Sequence, residues 1–429
     1  MKIVFVVHYF PPVNSAGAKR VEAISKYLAA AGHAVTVVTT RKTSADGKFT
    51  EALPSGVDVI ELDSFGRRSL SSSADISSVP MPVEKYSWRS RIKSLVQRYF
   101  GQIPDPRLFF AISFISPLLD KHACRALAAA DVVIGSSPPW SVLLAAVLCK
   151  KRFNIPCILD YRDQFSECHG MPGGKIAKWL ERRIDRWLVR NADHVVTISE
   201  PMASYYKEMA PEVSVIMNGY DHQVLELART RIVSRPAEKT RIRYMGFVYP
   251  GRIPHNFMKA LVRLKEENVS RFESISVEYY GGSDLVREAL DKNYPSIIPA
   301  FKFNSAVPYI DSLQLTVESD YLLFAETSSK ASLSAQGILT TKLFEYIGSG
   351  RPVLADISPE TLAGSLLHRA GGGNIVGDSE DFFLQALNRA EFYTRQEDNF
   401  SEFSQGLSRQ AQALQYADLI DSVVKGGLR

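Results

Sequence analysis

Short, continuous apolar runs rich in valine and isoleucine recur along the chain, and segments with helical spacing of apolar residues separate them. Each half of the sequence contains six runs, at 3–7, 34–39, 57–60, 131–134, 156–160 and 194–198, then at 242–246, 276–280, 300–303, 321–324, 352–355 and 374–376. Strands that are apolar on both faces are typical of parallel sheets covered by helices. The pattern predicts an α/β fold with two doubly wound, Rossmann-like domains that face a central cleft.

The length of the chain also favours two domains. Its 429 residues exceed what one ordinary core accommodates. A polar, charged stretch at 221–240 marks the junction. We therefore expect an N-terminal domain at 1–220, a C-terminal domain at 221–400, and a helical segment at 401–429 that packs either on the second domain or back on the first.

The composition argues against several classes of protein. A net charge of +5 and a pI near 8.8 are too mild for a dedicated nucleic-acid binder, but they fit anionic small ligands or an anionic membrane surface. The four cysteines lack CxxC spacing, so no metal site is predicted. Met1 leads directly into an apolar run, and no apolar stretch is long enough to span a bilayer. We therefore expect a cytoplasmic protein.

Ligands of open α/β sheets bind beyond the carboxyl ends of the strands, which directs attention to the residues after each run. In the first half, a small loop leads to Gly17, which opens a helix whose free N–H groups favour anions. A simple connector is the alternative. Asp160, Arg162 and Asp163 crowd the end of another run, and this density of charge indicates either a site or a structural ion pair.

The second half offers two further candidates. Gly246 ends a run, and Arg252, six residues later, either binds phosphate in a bidentate manner or is an exposed loop cation. A later short helix carries Lys342, placed to reach a phosphate, and Glu345, placed to accept hydrogen bonds from ribose hydroxyls. The alternative for this pair is a solvated i,i+3 contact on a helix face.

Four stretches resemble bacterial glycosyltransferases of family 4, which have the GT-B fold. They are YFPPVNSAGAKRV, LDYRDQFSE, NADHVVTISEPM with VSVIMNGYD, and TKLFEYIGSGRPVLA, in the expected order over nearly the whole chain. The resemblance implies a retaining transfer of a sugar from a nucleotide-diphosphate donor, a UDP- or GDP-sugar, with no required cofactor or metal. It places the donor mainly on the second domain and a glycan or lipid-linked acceptor on the first.

The resemblance also implies roles for individual residues. Glu345 resembles the glutamate that binds the ribose, Gly17 the glycine that faces the donor phosphates, and Arg252 the base that neutralises the diphosphate. The family often has an acid eight positions before the ribose glutamate, where this chain has Gly337, and Glu326 is the substitute. We predict as catalytic residues Arg252, Lys342 and Asp163, and as donor-binding residues Gly17, Gly246, Lys342, Glu345 and Glu326.

The leading hypothesis is a glycosyltransferase of surface polysaccharide or glycolipid synthesis, whose cations stabilise the departing diphosphate. A non-hydrolysing nucleotide-sugar epimerase, which shares the two-domain architecture, is one alternative. A nucleotide-sugar-binding protein without catalytic activity is another, and Gly337 favours it. No nucleic-acid partner is expected.

Two basic segments have amphipathic helical spacing. The first, WRSRIKSLVQRYF at 88–100, predicts either peripheral contact with an anionic membrane, at the inner face of the plasma membrane, or a helix packed on the first domain. Its charge comes from Arg89, Arg91, Lys93 and Arg98. The second, KIAKWLERRIDRWLVR, contains Trp179 and Trp187, and we expect its apolar face to pack in the core.

Overall fold

The computed structural model describes residues 1–42, 51–67, 103, 105, 107–168, 173–232, 239–326, 337, 339–389 and 401–426. The chain divides into two compact units, Met1–Met217 with Gln412–Arg429, and Asn218–Ala411. The break after Met217 lies three residues before the boundary expected at 220. The break after Ala411 lies inside the C-terminal segment expected at 401–429. The basic segment at 88–100 lies outside the described residues.

Among the described residues, the first unit holds a parallel sheet of seven strands in the order β3-β2-β1-β4-β5-β6-β7. The strands are β1 (Lys2–Val7), β2 (Ala34–Thr40), β3 (Val57–Leu62), β4 (Val132–Ser137), β5 (Cys157–Tyr161), β6 (His194–Thr197) and β7 (Val213–Val215). The helices are α1 (Ala16–Ala30), α2 (Leu108–Ser113), α3 (Lys121–Ala128), α4 (Ser141–Phe153), α5 (Lys175–Asn191) and α6 (Glu200–Lys207). The strand order reverses between β1 and β4, where Val4 is in register with Val133.

Within the same described ranges, the second unit holds a parallel sheet of six strands in the order β10-β9-β8-β11-β12-β13. The strands are β8 (Thr240–Met245), β9 (Ile275–Tyr280), β10 (Phe301–Asn304), β11 (Tyr321–Ala325), β12 (Val353–Asp356) and β13 (Ile375–Gly377). The helices are α7 (His222–Thr230), α8 (His255–Glu267), α9 (Val269–Glu273), α10 (Asp284–Asn293), the 3-10 helix Pro295–Ala300, α11 (Tyr309–Val317), α12 (Thr341–Ser349), α13 (Leu362–Ala370), α14 (Glu380–Arg389) and α15 (Glu402–Gly406). Both units are doubly wound, which confirms the predicted fold class.

Each unit has its own hydrophobic core between sheet and helices. In the first unit, inward side chains of β1 and β4 pack with Tyr416 and Ile420 of the last helix, α16 (Arg409–Gly426). Ile420 is fully buried, which stabilises the fold by about 1.5–3 kcal/mol. From Gln412 onward, α16 therefore belongs to the first unit. In the second unit, inward side chains of β8, β9 and β11 pack against α8.

The structure departs from the sequence expectations at two elements of the first unit. β7 has no counterpart among the expected strands, because it is three residues long and only half-buried. The expectation that the apolar face of α5 packs in the core holds for Leu188, which is fully buried, and is wrong for Trp179 and Trp187, which are exposed. Glu181 and Asp185 share the inward face with Leu188, and they accept hydrogen bonds there from Lys178 and Tyr161 respectively.

None of the helices in the described ranges has the length and hydropathy that a membrane span requires. Nor do three or more His, Cys, Asp or Glu side chains gather in these ranges as a metal ion would need.

Candidate functional site

The candidate site of the second unit lies where its strand order reverses. β8 and β11 are neighbours there, and Gly246 and Glu326 follow their carboxyl ends. The next helix, α12, carries Lys342 in its first turn. Open α/β sheets bind ligands at such a point, because loops diverge there and helix N-termini present free N–H groups.

Gly246 lets the backbone pass close to Lys342. Its φ of 92° lies in the region that residues other than glycine rarely adopt. A Cβ atom at this position would lie 3.8 Å from Cε of Lys342. The backbone conformation therefore requires glycine, and the lysine stem lies directly against the strand end.

Lys342 is a partly buried cation with an aromatic neighbour. Its Nζ atom lies 3.5 Å from the centroid of the Tyr244 ring, which is a cation–π contact. Burial lowers the pKa of Lys342 well below its usual range, and the charge of Arg252 lowers it further, while Glu326 and Glu345 oppose the shift. The ammonium group is therefore incompletely compensated, and an anionic ligand would stabilise its charge.

Glu326 is a carboxyl group whose ionisation is suppressed. Burial raises its pKa to about 7, although Arg252 and Lys342 favour the ionised form. The Thr340 hydroxyl also lowers the pKa of Glu326, although its Oγ1 atom makes no hydrogen bond within the described residues. Near neutral pH, both forms of Glu326 are populated, so the side chain can donate or accept a hydrogen bond.

Three buried polar atoms around this point have no hydrogen-bond partner in the part of the chain that the structure describes. They are Arg252 Nε, Glu326 Oε1 and Thr340 Oγ1. Buried polar atoms are almost always satisfied, and each unsatisfied atom destabilises a fold by about 1–3 kcal/mol. Because these atoms lie beside Lys342, their arrangement indicates a site for a polar, anionic ligand.

Glu345, one helical turn after Lys342, is oriented by a tyrosine. The Tyr309 hydroxyl donates a hydrogen bond of 2.9 Å to Glu345 Oε1. Burial raises the pKa of Tyr309 well above its usual range, and the negative charge of Glu345 adds to the shift. The phenol therefore stays protonated and fixes the glutamate from one side.

In the first unit, Arg162 braces the strand ends. Its Nε donates a hydrogen bond of 2.6 Å to the Ser137 carbonyl, and its Nη1 donates to the Gly17 carbonyl. A Cβ atom on Gly17 would lie 3.3 Å from Arg162 Nη1, so the glycine permits this close approach. The hydrogen bonds of Arg162 thus go to carbonyl groups, while the neighbouring Asp163 is exposed.

Asp160 forms a buried ion pair with Arg20 in the same unit. Arg20 Nη2 lies 3.1 Å from Asp160 Oδ1, and Arg20 Nη1 donates to the Met217 carbonyl at 2.6 Å. Ser136 Oγ donates a hydrogen bond of 2.7 Å to Asp160 Oδ2. Burial alone would raise the pKa of Asp160, but the charge of Arg20 holds it below its usual range. Asp160 and Arg162 therefore have structural roles, which leaves Asp163 as the ligand candidate at this strand end.

The second unit brings most of the expected site residues together. They are Gly246, Arg252, Glu326, Lys342 and Glu345. Gly17 and Asp163 belong to the first unit, after β1 and β5.

Three residues of the candidate site were not predicted individually from the sequence. Tyr244 and Thr340 each precede a residue that was identified, namely Gly246 at the strand end and Lys342 in the helix, so position along the chain was an available signal. Tyr309 lies 36 positions before its partner Glu345, and nothing local in the sequence indicates that contact.

Comparison with known proteins gives a family match in the first unit. Residues 15–219 match the family model described as a glycosyl transferase 4-like domain. Glycogen synthase from Mycobacterium tuberculosis is 24% identical over 277 residues, which cover 62% of this chain and 58% of that protein. The chain thus spans less than two thirds of the length of the curated relative.

Two solved structures are similar over almost the full length. Sucrose-phosphate synthase from Thermosynechococcus elongatus gives a TM-score of 0.62 at 15% identity, with 99% of this chain and 100% of that chain covered. HepE from Anabaena, in complex with UDP, gives a TM-score of 0.57 at 12% identity, with 98% and 100% covered. At these identities the likeness shows the fold, and it confirms the predicted GT-B class.

Proposed function

We propose that the protein transfers a sugar from a nucleotide-diphosphate donor, because residues 15–219 match the model of a glycosyl transferase 4-like domain, in agreement with the resemblance to family 4 glycosyltransferases. The observation that carries this proposal is the group of buried polar atoms beside Lys342, at the strand-order reversal of the second unit, that have no hydrogen-bond partner among the described residues. The donor occupies the second unit, and a glycan or lipid-linked acceptor occupies the first. The transfer retains the anomeric configuration and serves the synthesis of a surface polysaccharide.

The diphosphate is bound by Arg252, Lys342 and the first N–H groups of α12. Guanidinium groups bind phosphate oxygens with two donors at once, and helix N-termini attract anions. A phosphate beside Lys342 would also restore the pKa that burial and Arg252 depress. These positive groups supply the charge that a metal ion supplies in other transferases, so we expect activity without added metal.

Glu345 and Glu326 bind the hydroxyl groups of the donor. Glu345 accepts hydrogen bonds from the ribose, while Tyr309 holds its Oε1 atom. Glu326 takes the place of the acid that the family carries eight positions before the ribose glutamate, where this chain has Gly337. Its Oε1 atom is buried and has no hydrogen-bond partner in the ranges that the structure describes, so a sugar hydroxyl would satisfy it. A UDP-sugar and a GDP-sugar both carry the groups that these residues bind.

The reaction breaks the bond between the anomeric carbon and a phosphate oxygen, and it forms a bond from that carbon to the acceptor oxygen. The acceptor hydroxyl proton passes to the departing phosphate oxygen, so the products are a glycoside and a nucleoside diphosphate. Arg252 and Lys342 stabilise the negative charge that develops on the leaving group. Asp163, exposed at the end of β5, orients the acceptor hydroxyl in the first unit.

Nucleotide binding tests the ribose role of Glu345. Glu345→Ala should raise the Kd for the preferred nucleotide, UDP or GDP, about tenfold or more in isothermal titration calorimetry, because a charge-assisted hydrogen bond is lost. Glu288→Ala, at an exposed position of α10, should leave that Kd unchanged. Wild-type affinity in Glu345→Ala would refute the role.

Incubation with the donor alone separates the transferase from the alternatives. A transferase releases nucleoside diphosphate when acceptor is present, whereas an epimerase converts the nucleotide sugar without any acceptor. Binding without turnover across a panel of acceptors would point to the non-catalytic alternative.

We also propose that the basic segment at 88–100 holds the acceptor domain at the inner face of the plasma membrane. The support is the sequence pattern of that segment, which is typical of helices at anionic bilayers. A variant with four Gln substitutions, at Arg89, Arg91, Lys93 and Arg98, should sediment less with anionic vesicles. Unchanged sedimentation would remove this part of the proposal.

A further inference from the structure

Helix α5 buries its acidic side chains and exposes several of its large apolar side chains. Its two acidic residues, Glu181 and Asp185, are fully buried at 0% exposure. In contrast, Ile176 is 77% exposed, Trp179 54% and Trp187 40%. Large apolar side chains normally face the core, so an exposed cluster of this kind indicates a surface that binds something.

The buried acids fix the rotation of α5. Asp185 accepts hydrogen bonds from Tyr161 at 2.9 Å and from Ser166 Oγ at 2.7 Å. Burial raises the pKa of Asp185 to about 6, and these donors counteract the shift. Glu181 accepts from Lys178 Nζ at 2.7 Å. Turning the tryptophans inward would break these contacts, so the exposed apolar face is a defined feature of the fold.

The same exposed face is strongly basic. Lys175, Arg183, Arg186 and Arg190 are all exposed on it. Within Lys175–Asn191, which the structure describes in full, both acidic residues point inward, so the helix itself places no carboxylate on this face. Arg182, at the edge of the face, pairs with Glu167, whose Oε1 atom lies 2.6 Å from Arg182 Nε. The exposed face of α5 therefore combines tryptophan and isoleucine with four exposed cations.

Cations also lie against the tryptophan rings. The Arg183 guanidinium carbon is 4.9 Å from the Trp179 ring centroid, and Lys151 Nζ of α4 is 4.7 Å from that of Trp187. The two tryptophans are eight residues apart, which places them about 12 Å apart along one side of the helix. A helix with this spacing can lie flat on a planar surface.

A second exposed apolar group adjoins the end of α4. Arg152, next to Lys151, donates hydrogen bonds of 2.6 and 2.9 Å to the carbonyls of Phe114 and Ser116. The segment at 109–118, which contains Phe114 and Ser116, exposes four large apolar side chains, namely Phe109, Ile112, Ile115 and Leu118. The basic end of α4 thus contacts α5 through Lys151 and the 109–118 segment through Arg152.

We propose that the exposed face of α5, with the adjoining 109–118 segment, binds the surface of a lipid bilayer that contains anionic headgroups. Tryptophan rings suit the boundary between headgroups and acyl chains, because they are apolar in body and donate a hydrogen bond from Nε1. Arginine and lysine beside them bind the phosphate groups, so charge complementarity selects an anionic membrane. The residues of this surface differ from those of the segment at 88–100, and its function as a membrane-binding face does not require the proposed transferase activity.

Sedimentation of the full chain with vesicles tests this inference. Vesicles of equal parts phosphatidylglycerol and phosphatidylcholine should bind the protein, and pure phosphatidylcholine vesicles should bind it far less. Arg183→Gln/Arg186→Gln/Arg190→Gln should weaken binding roughly 100-fold, because each basic residue near an anionic surface contributes about a factor of five. Trp179→Ala/Trp187→Ala should weaken binding about tenfold or more.

The control variants remove the same number of exposed charges or exposed apolar side chains from the second unit. Lys259→Gln/Lys292→Gln/Lys302→Gln removes three exposed charges, and Leu227→Ala/Val269→Ala removes two exposed apolar side chains. Both controls should bind vesicles as the wild type does. All four variants change exposed positions, so their Tm should stay close to that of the wild type.

Three outcomes would overturn the inference. The first is wild-type vesicle binding by both α5 variants. The second is equal binding to phosphatidylcholine and to the anionic mixture. The third is concentration-dependent dimerisation in analytical ultracentrifugation that the Trp179→Ala/Trp187→Ala variant abolishes, because the face would then be an interface between copies of the chain. If only the variant of the 88–100 segment loses vesicle binding, both α5 variants bind as the wild type does, and this is the first outcome.

Discussion

Lys342 Nζ lies 3.5 Å from the centroid of the Tyr244 ring, so an aromatic face holds the ammonium group at the carboxyl end of β8. An aromatic ring attracts a cation without neutralising its charge. Together with the depressed pKa of Lys342, this contact leaves a positive group positioned but incompletely compensated. Such an arrangement favours ligand binding at some expense of stability.

Replacing this lysine should therefore stabilise the ligand-free protein. Because burial lowers the pKa of Lys342, the unfolded chain binds the proton more tightly, and wild-type stability should rise with pH between the folded and unfolded pKa values. Lys342→Met keeps an unbranched apolar side chain but removes the ammonium group, and it should raise the free energy of unfolding by about 1 kcal/mol at neutral pH. Chemical denaturation measures this, with Lys292→Met at an exposed site as the control. A destabilised Lys342→Met would assign the lysine to the structural framework.

Donor affinity should fall as the pH rises through about 7, because Glu326 ionises there. The neutral carboxyl can bind a sugar hydroxyl without repelling the diphosphate, whereas the carboxylate adds a negative charge that repels it. Calorimetry at about pH 6 and about pH 8 should show roughly a tenfold loss of affinity. In Glu326→Gln the ligand can still titrate, but the side chain at position 326 cannot. Most of the difference in donor affinity between the two pH values should therefore disappear in this variant. The same pH dependence in both proteins would contradict the assignment.

A side chain at position 246 should weaken both stability and binding. Gly246→Ala forces a φ of 92° on alanine, which costs about 1–2 kcal/mol, and it places Cβ 3.8 Å from Lys342 Cε. We expect a lower midpoint of urea denaturation and a higher donor Kd. Gly406→Ala is the control, since a Cβ there meets nothing within 4 Å. If both substitutions have equal effects, the special role of Gly246 is wrong.

The buried pair of Asp160 and Arg20 should dominate the acid stability of the first unit. Asp160→Asn leaves the Arg20 charge buried without its partner and should destabilise the protein by about 3–5 kcal/mol. The pKa of Asp160 is lower in the folded chain, so its contribution is present above its ordinary pKa and is lost as the pH falls through the folded value. When urea denaturation is repeated from neutral to acidic pH, the free energy of unfolding should fall less in Asp160→Asn than in the wild type.

The neighbouring aspartate supplies the control for this measurement. Asp163→Asn changes the same kind of side chain at an exposed position, and we expect an effect below about 0.5 kcal/mol. Equal destabilisation by the two variants would show that the Asp160 pair is not the stabilising element.

The fold could be predicted from strand patterning, whereas the choice of site residues also needed the family resemblance, from which Glu326 was identified. The continuous Val and Ile runs identified buried parallel strands, and the carboxyl ends of β8 and β11 lie side by side in that topology. Gly246 and Glu326 follow these two ends, which is why residues 80 or so positions apart along the chain come together.

The remaining features depend on contacts between distant residues. Helical periodicity shows that α5 is amphipathic, but it does not show that Tyr161 and Ser166 satisfy Asp185 and so turn the tryptophans outward. Likewise, the charge of Arg162 suggested a ligand, whereas the backbone carbonyls of Ser137 and Gly17 receive its hydrogen bonds.

The central claim is that the diphosphate of the donor binds at Arg252 and Lys342, and calorimetry with the preferred nucleotide tests it most directly. Arg252→Gln/Lys342→Gln should raise the Kd about 100-fold or more, because each lost charge-assisted contact contributes about 1.5–3 kcal/mol. The control, Lys259→Gln/Lys292→Gln, removes the same charge from exposed positions of the same unit and should bind as the wild type does. A wild-type Kd for Arg252→Gln/Lys342→Gln, in a protein that folds normally, would contradict the account.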